Sequence, residues 1–425
     1  MRPLYFVLPL LLLPGLAVTP AVADGIATAG PSFETPALYD DEGGANGDDP
    51  AIWEHPGKPG KSVIVATAKE GGLYVYNLKG QQLQHLLVPA APGPGDEGGR
   101  FNNVDLIKGF RLANGSRTDL AVVSDRGRDH IRFYAIDPAA AAAGQPPLTD
   151  VTSSDVPFVF NTTQSEVNEA ATAYGLATWQ QGHSSYALVS RRHATDVGLA
   201  RLAAKPDGTV GYTLVRSISL PQSFALPNGA TWTPCDDPGV LPQVEGMVVD
   251  GENDVLYAAQ EDVGIWRMRA DLTGAPVLIE RNKGYGRQDT FDPATEECVP
   301  GTVDPGYGGL HLEADAEGLT IYDAGDGEGY LMASSQGDNT FAVFDREDQE
   351  FKGQFRVGAE HGVDGVEVSD GSMVTSSSLG GHFPHGLFVA HDGENTPAEG
   401  DREITNFKLV PWEEIAEPLD LDIVN

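Results

Sequence analysis

One arrangement of residues recurs along this chain and limits its fold more than any other feature. In residues 244–269, VEGMVVDGENDVLYAAQEDVGIWRMR, an acidic residue and a glycine open an apolar stretch. A Gly/Asp turn, a second apolar stretch with small residues, a polar turn and an aromatic stretch follow. Residues 316–346, AEGLTIYDAGDGEGYLMASSQGDNTFAVFDR, repeat that order. So do DDPAIW with SVIVATA and GLYVYNL, then NNVDLI with DLAVVSD and IRFYAID. AYGLATW with YALVSRR and GLARL follows it more loosely, and VDGVEV with GLFVAHD and NFKLVPW makes a sixth copy. The stretches are short, rich in Val, Ile, Tyr and Phe, and bounded by Gly, Asp and Asn, which predicts strands.

Six similar units, none able to bury both faces alone, are satisfied by radial closure. The expected fold is all-β, a six-bladed β-propeller of four-stranded antiparallel blades. Blades open near Asp49, Asp105, Tyr174, Glu245, Glu317 and Asp364, at intervals mostly longer than a blade needs, so loops are inserted. The first strand of each blade lines the central channel, which gathers the opening acidic residues at one end of it. The alanine run at 139–143 reads as a loop and WEEIAEPL as a short terminal helix.

Residues 1–23 read as a secretory leader: Arg2, an apolar run from Leu4 to Leu16, and Ala21-Val22-Ala23 before Asp24. Residues 24–425 then form a single propeller domain, exported to the periplasm or the extracellular medium. No other segment is long and apolar enough to span a membrane. Two cysteines, Cys235 and Cys298, without a C-x-x-C, predict one disulfide stapling two loops.

Charge narrows the partners. Against 27 Lys plus Arg stand 62 Asp plus Glu, a net charge of −35, so nucleic acid and anionic membranes are excluded. The excess suits either plain solubility or the loading of hard cations such as calcium, and composition leaves both open.

DDPAIW, NNVD, Y-G, VEGM, the D-x-E-G of residues 315–318, SSQG, VDG and DGEN occur here in the order found in the β-propeller phytases. The chain resembles that family over about residues 34 to 413. The resemblance implies a secreted, calcium-dependent enzyme that hydrolyses phytate, myo-inositol hexakisphosphate. Phytate or its calcium complex is then the substrate, several Ca2+ ions the cofactor, and a monomer the expected state.

Glu245, Asp315, Glu317 and Asp364 each lie near a glycine at the start of an inner strand; a turn role is the bland alternative. Their recurrence favours a shared site, since converging carboxylates repel unless a cation neutralises them. By the resemblance they hold calcium at the cleavage position with Gln336 and Glu34. Asp49, Asn103, Asp105, Asp392 and Asn395, from the first, second and last blades, are implied to clamp the ring through a structural calcium. Asp48 has no implied partner and reads as solvated.

Lys69, Arg126, Arg191 and Arg192 each follow a strand, so they predict a phosphate-binding flank rather than scattered surface charge. The resemblance carries over Lys69, Arg126 and Tyr174 as substrate contacts. Two departures stand out. Glu70 occupies a place where some members have a second lysine, and Arg191-Arg192-His193 replaces a Lys-Glu pair. A different calcium propeller hydrolase, such as a lactonase, or a non-enzymatic binding platform are the alternatives. The first gives no role to the strand-end bases, and the second predicts rim aromatics and has no need of clustered inner carboxylates.

Overall fold

The computed structural model describes residues 25–295 and 297–424, and the leader expected over 1–23 lies outside them. Six sheets follow one another around a central channel, each built on four antiparallel strands, which in blades one to five run in meander order. Blade one comprises Pro50–Trp53, Val63–Thr67, Leu73–Asn77 and Gln82–Leu86. Inner strands of the later blades are Phe101–Arg111, Ala173–Gln181, Val244–Asp250, Ala316–Gly325 and Ser372–Thr375.

Burial follows radius. Every residue of Val63–Thr67 is buried, because the middle of a blade has a neighbouring blade on each face, whereas Gln82–Leu86 at the rim is half open. Apolar clusters accordingly lie between blades: Ala51, Val65 and Val75 of blade one pack with Val104, Ala121 and Tyr134 of blade two. This explains runs such as SVIVATA, apolar on both faces where a half-exposed strand would alternate.

The N-terminal segment closes the ring. Phe33–Glu34 pairs antiparallel with Ile404–Pro411, with Glu34 opposite Lys408, and supplies the fourth strand of blade six. Leu38–Tyr39 pairs with the same strand, and Ala27–Ala29 adds a parallel edge to Phe351–Val357 of blade five. Helix Trp412–Leu419 forms as expected and stacks Trp412 on Tyr322 at 3.9 Å.

Two expectations are corrected. Blade six does not open at Asp364. VDGVEV is a loop whose Val368 takes φ 48°, incompatible with an extended run, and the inner strand begins after Asp370-Gly371. The alanine run is helical, Pro138–Ala143, because Asp137 caps it: its Oδ1 accepts from the amides of Ala139 at 2.8 Å and Ala140 at 3.3 Å. The Cys235–Cys298 disulfide is present, with Cα atoms 6.0 Å apart, and joins the loops before blades four and five.

Candidate active site

A local irregularity aims the site. In blades two to five the pairing of inner and second strand slips near the start, across Phe101/Val104, Ala173/Leu176, Val244/Met247 and Ala316/Leu319. Such bulges turn a strand and re-aim its side chains. The residues inside them are Asn102-Asn103, Tyr174-Gly175, Glu245-Gly246 and Glu317-Gly318. The glycines are needed because the strands crowd together here. A Cβ on Gly175 would stand 2.0 Å from the Glu245 carbonyl oxygen, and one on Gly246 equally close to that of Glu317.

Glu245, Glu261 and Glu317, all buried, each bring one carboxylate oxygen within 4.8 Å of the others. Asn102 donates to Glu245 Oε1 at 2.6 Å and the Tyr174 hydroxyl to Oε2 at 2.5 Å. Gln243 Nε2 donates to Glu261 at 3.0 Å. Gln336 Nε2 donates to Asp370 at 2.8 Å, and the Gln336 amide to the Asp315 carbonyl at 3.0 Å. Among the described residues, Glu317 Oε2, Glu261 Oε1 and Asp48 Oδ1 are buried without a hydrogen-bond partner.

Electrostatics record the crowding. Burial first, then neighbouring carboxylates, pushes Glu261 and Glu317 well above the usual carboxylate range. Burial also raises Asp48, Glu245 and Asp370, and lifts Asp315 to about 6. Orphaned buried oxygens and an all-oxygen donor set fit a hard divalent cation, whose charge would offset the repulsion.

Bases face these carboxylates. Lys69 Nζ lies 3.5 Å from Asp370 and donates to Asn46 at 3.1 Å. Arg126 lies over the Tyr174 ring at 5.4 Å and donates to Asn102 Oδ1 at 3.1 Å, so Asn102 links the basic side to Glu245. The charges of Arg126 and Glu261 both act on Arg192: burial and then the Arg126 charge lower its guanidinium to about 10, which still leaves it cationic. Arg191 turns away, donating to Ala171 O at 3.0 Å and Asn161 Oδ1 at 3.1 Å beside Phe160. Its expected substrate contact is corrected on that ground.

The structure regroups the remaining expected ligands. Glu34 and Asp364 are not at the channel mouth, and Asp392 and Asn395 do not join Asp49. All four surround Lys408, a fully buried ammonium 2.7 Å from Glu34, 3.2 Å from Asp392, 2.9 Å from Asn395 and bonded to Asp364. The strand pairing of Glu34 with Lys408 is what carries that glutamate to blade six. Asp49 instead accepts from the Val104 amide at 3.0 Å, and Asp105 from the Thr178 amide at 2.7 Å. Each thus staples its blade to the next inside the channel, with Asn103 buried beside Asp49. Asp48 is not solvated; it is 1% exposed and faces the Glu245 group.

Sequence reading missed Asp48, Glu261, Asp370, Asn102 and Gln243. Glu261 was findable: it follows the second strand of blade four, Val255–Gln260, as Lys69 and Arg126 follow the second strands of blades one and two.

Fold and site together define a β-propeller hydrolase whose channel mouth opposes buried carboxylates with lysine and arginine. A family model described as Phytase matches residues 7–194 and 239–424. The 3-phytase of Bacillus subtilis (strain 168) is 36% identical over 377 residues, covering 88% of this chain and 81% of that protein. The chain belongs to the phytase family. The unmatched stretch, 195–238, holds the outer half of blade three and the loop with Cys235.

Proposed function

We propose that this protein is a calcium-dependent phytase that hydrolyses phosphomonoesters of phytate by direct attack of water, without a covalent intermediate. The observation that carries this reading is the trio of buried glutamates within 4.8 Å, facing Lys69, Arg126 and Arg192. Calcium held by Glu245, Glu261, Glu317, Asp315 and Asp370 would supply positive charge that polarises the phosphoryl oxygens and lowers the pKa of water.

The chain's own groups do the rest. Arg126 and Arg192 bind phosphoryl oxygens and oppose charge that develops on them, and Lys69 adds a point charge. The Tyr174 hydroxyl and Asn102 amide spend their donors on Glu245, which fixes both carboxylate oxygens. Gln336 orients Asp370 in the same way. The Lys408 group, with three carboxylates to one ammonium, is read as structural. The expected leader suits export.

The test is phosphate release from phytate in calcium buffer and in excess chelator. Release with calcium that stops on chelation is expected; no release at any calcium level near neutral pH overturns the reading.

A further inference from the structure

Asp370-Gly371, where blade six opens, is a backbone junction between three blades. The Gly318 amide of blade five donates to the Asp370 carbonyl at 2.7 Å, and the Gly371 amide donates to the Asp48 carbonyl of blade one at 3.1 Å. The His391 amide donates to the Gly371 carbonyl at 2.9 Å. The Asp370 amide remains, and its partner is a side chain: it donates to His391 Nδ1 at 3.2 Å. Every backbone donor and acceptor of the pair is thus spent. Three buried carboxylates of the channel mouth depend on it, those of Asp370, of Asp48 and of Glu317 directly before Gly318.

His391 is an expensive choice for this place. It is 2% exposed on the second strand of blade six, Leu387–Asp392, with its ring 5.8 Å from that of Phe407. A backbone amide only donates, so Nδ1 accepts, and a neutral imidazole then carries its proton on Nε2. Nε2 has no hydrogen-bond partner among the described residues, and a buried donor left unpaired is destabilising. Gly47 presses on that edge of the ring: a Cβ there would stand 2.8 Å from Cδ2 and 3.2 Å from Nε2. A phenyl ring would fill the same space without an orphaned donor, but it would strip the Asp370 amide of its acceptor. Nδ1 is therefore what an imidazole contributes here. A proton on Nδ1 would turn it towards Asp370 Oδ2, 3.7 Å away, and abandon the amide. That carboxylate already has Lys69 and Gln336, whereas the amide has Nδ1 alone.

We propose that His391, neutral with its proton on Nε2, is a positioning residue: it orients the Asp370-Gly371 junction and so sets the spacing of Glu317, Asp370 and Asp48, carboxylates from three blades. The proposal rests on the reading of this site as a calcium site and adds a residue that acts only through the carboxylates. It also ties the site to the seam between blades six and one.

Two measurements on the whole protein test it. Nitrogen NMR of histidine-labelled protein at pH 7, with the His391 signal identified by its loss in His391→Asn, should show a neutral ring protonated on Nε2. A proton on Nδ1 overturns the proposal. Calorimetric calcium binding should be about tenfold weaker in His391→Phe, which keeps a ring and loses the acceptor. His391→Asn, whose Oδ1 can accept where Nδ1 did, should recover most of that loss, and kcat on phytate should follow the same order. Calcium affinity in His391→Phe equal to that of the parent overturns the role, as does a loss of about tenfold or more in His391→Asn. The tautomer and the asparagine variant decide the matter even where the phenylalanine variant does not fold. Failure of the phosphomonoester reading shows separately, as no phosphate release by the unaltered protein.

Discussion

Gln243 holds Glu261 by one end of its amide and the turn after Arg192 by the other. Its Nε2 donates to the Glu261 carboxylate at 3.0 Å, and its Oε1 accepts from the His193 amide at 2.7 Å. One side chain therefore sets the distance between a candidate cation ligand of blade four and the proposed phosphate-binding arginine of blade three. Gln243→Ala is expected to lower kcat/KM by about 10–100-fold, the usual effect of losing a partner that orients a metal ligand. The calcium needed for half-maximal activity should rise with it. Circular dichroism and melting should stay near those of the parent protein, and unchanged activity would remove Gln243 from the site.

Tyr174 offers a separable case. Its hydroxyl bonds Glu245 and its ring lies under Arg126, so Tyr174→Phe keeps the second contact and loses the first. We expect a smaller loss than for Glu245→Gln, which should cost at least about a hundredfold in kcat. Steady-state kinetics on phytate rank the two, and the reverse order would contradict the geometry.

Without metal, stability should fall as pH rises. Burial lifts Asp315 and Asp392 to about 6 and Asp125 to about 7, from an ordinary value of 3.8. The folded state keeps these protons over a range where the unfolded chain has released them. It therefore binds more protons, and stability declines as pH rises from about 4 through 7. Asp250 acts the other way: burial opposes its ionisation, but Arg346 hydrogen bonds hold it below 3.8, so its stabilising contribution is present at neutral pH and is lost only in stronger acid. The chelated protein should melt higher at pH 5 than at pH 8, and calcium should raise the melting temperature more at pH 8. Calorimetric scans at both pH values decide it.

Lys408 is fully buried among Glu34, Asp364 and Asp392. Lys408→Met removes the one ammonium and leaves three carboxylates together. The cost should be about 3 kcal/mol, at the low end for breaking a buried pair because Glu34 is 35% exposed. Urea denaturation in excess chelator measures it, and a neutral result would mean that water already serves that cluster.

Cys235 and Cys298 close a loop of sequence separation 63, for which chain entropy allows about 4 kcal/mol as an upper figure. Thiol reduction should lower the melting temperature. It should also lower activity, because the loop after Cys235 runs into Gln243. An effect on melting alone would uncouple the loop from the site.

The ring and most of its mouth were legible because apolar runs, turn residues and acidic-Gly openings repeat with the blades. Glu245, Glu317 and Tyr174 stood out by falling inside that repeat. Asp364 misled because two acidic-Gly pairs, Asp364-Gly365 and Asp370-Gly371, stand close together, and only backbone geometry at Val368 decides between them. Glu34 could not be placed, because its location depends on the ring closing and so on a partner far along the chain. Arg191 and Arg192 are alike in sequence. Arg191 ends the second strand of blade three and bonds Asn161, whereas Arg192 lies in the turn after it, where the charges of Arg126 and Glu261 reach it.

Ring closure has a further consequence. Blades one to five are each completed by chain continuity, but blade six is completed by Phe33–Glu34, hydrogen-bonded to Ile404–Pro411. The joint is a zip made of a short strand pairing and the charges around Lys408, with no covalent backing. A ring under thermal stress opens at its joint first, so the lifetime of this protein should depend on the zip more than on the apolar cores between blades. Residues 33–39 are then a fastener, and trimming the chain past them would undo the circle and take Phe33 and Leu38 out of the core between blades one and six.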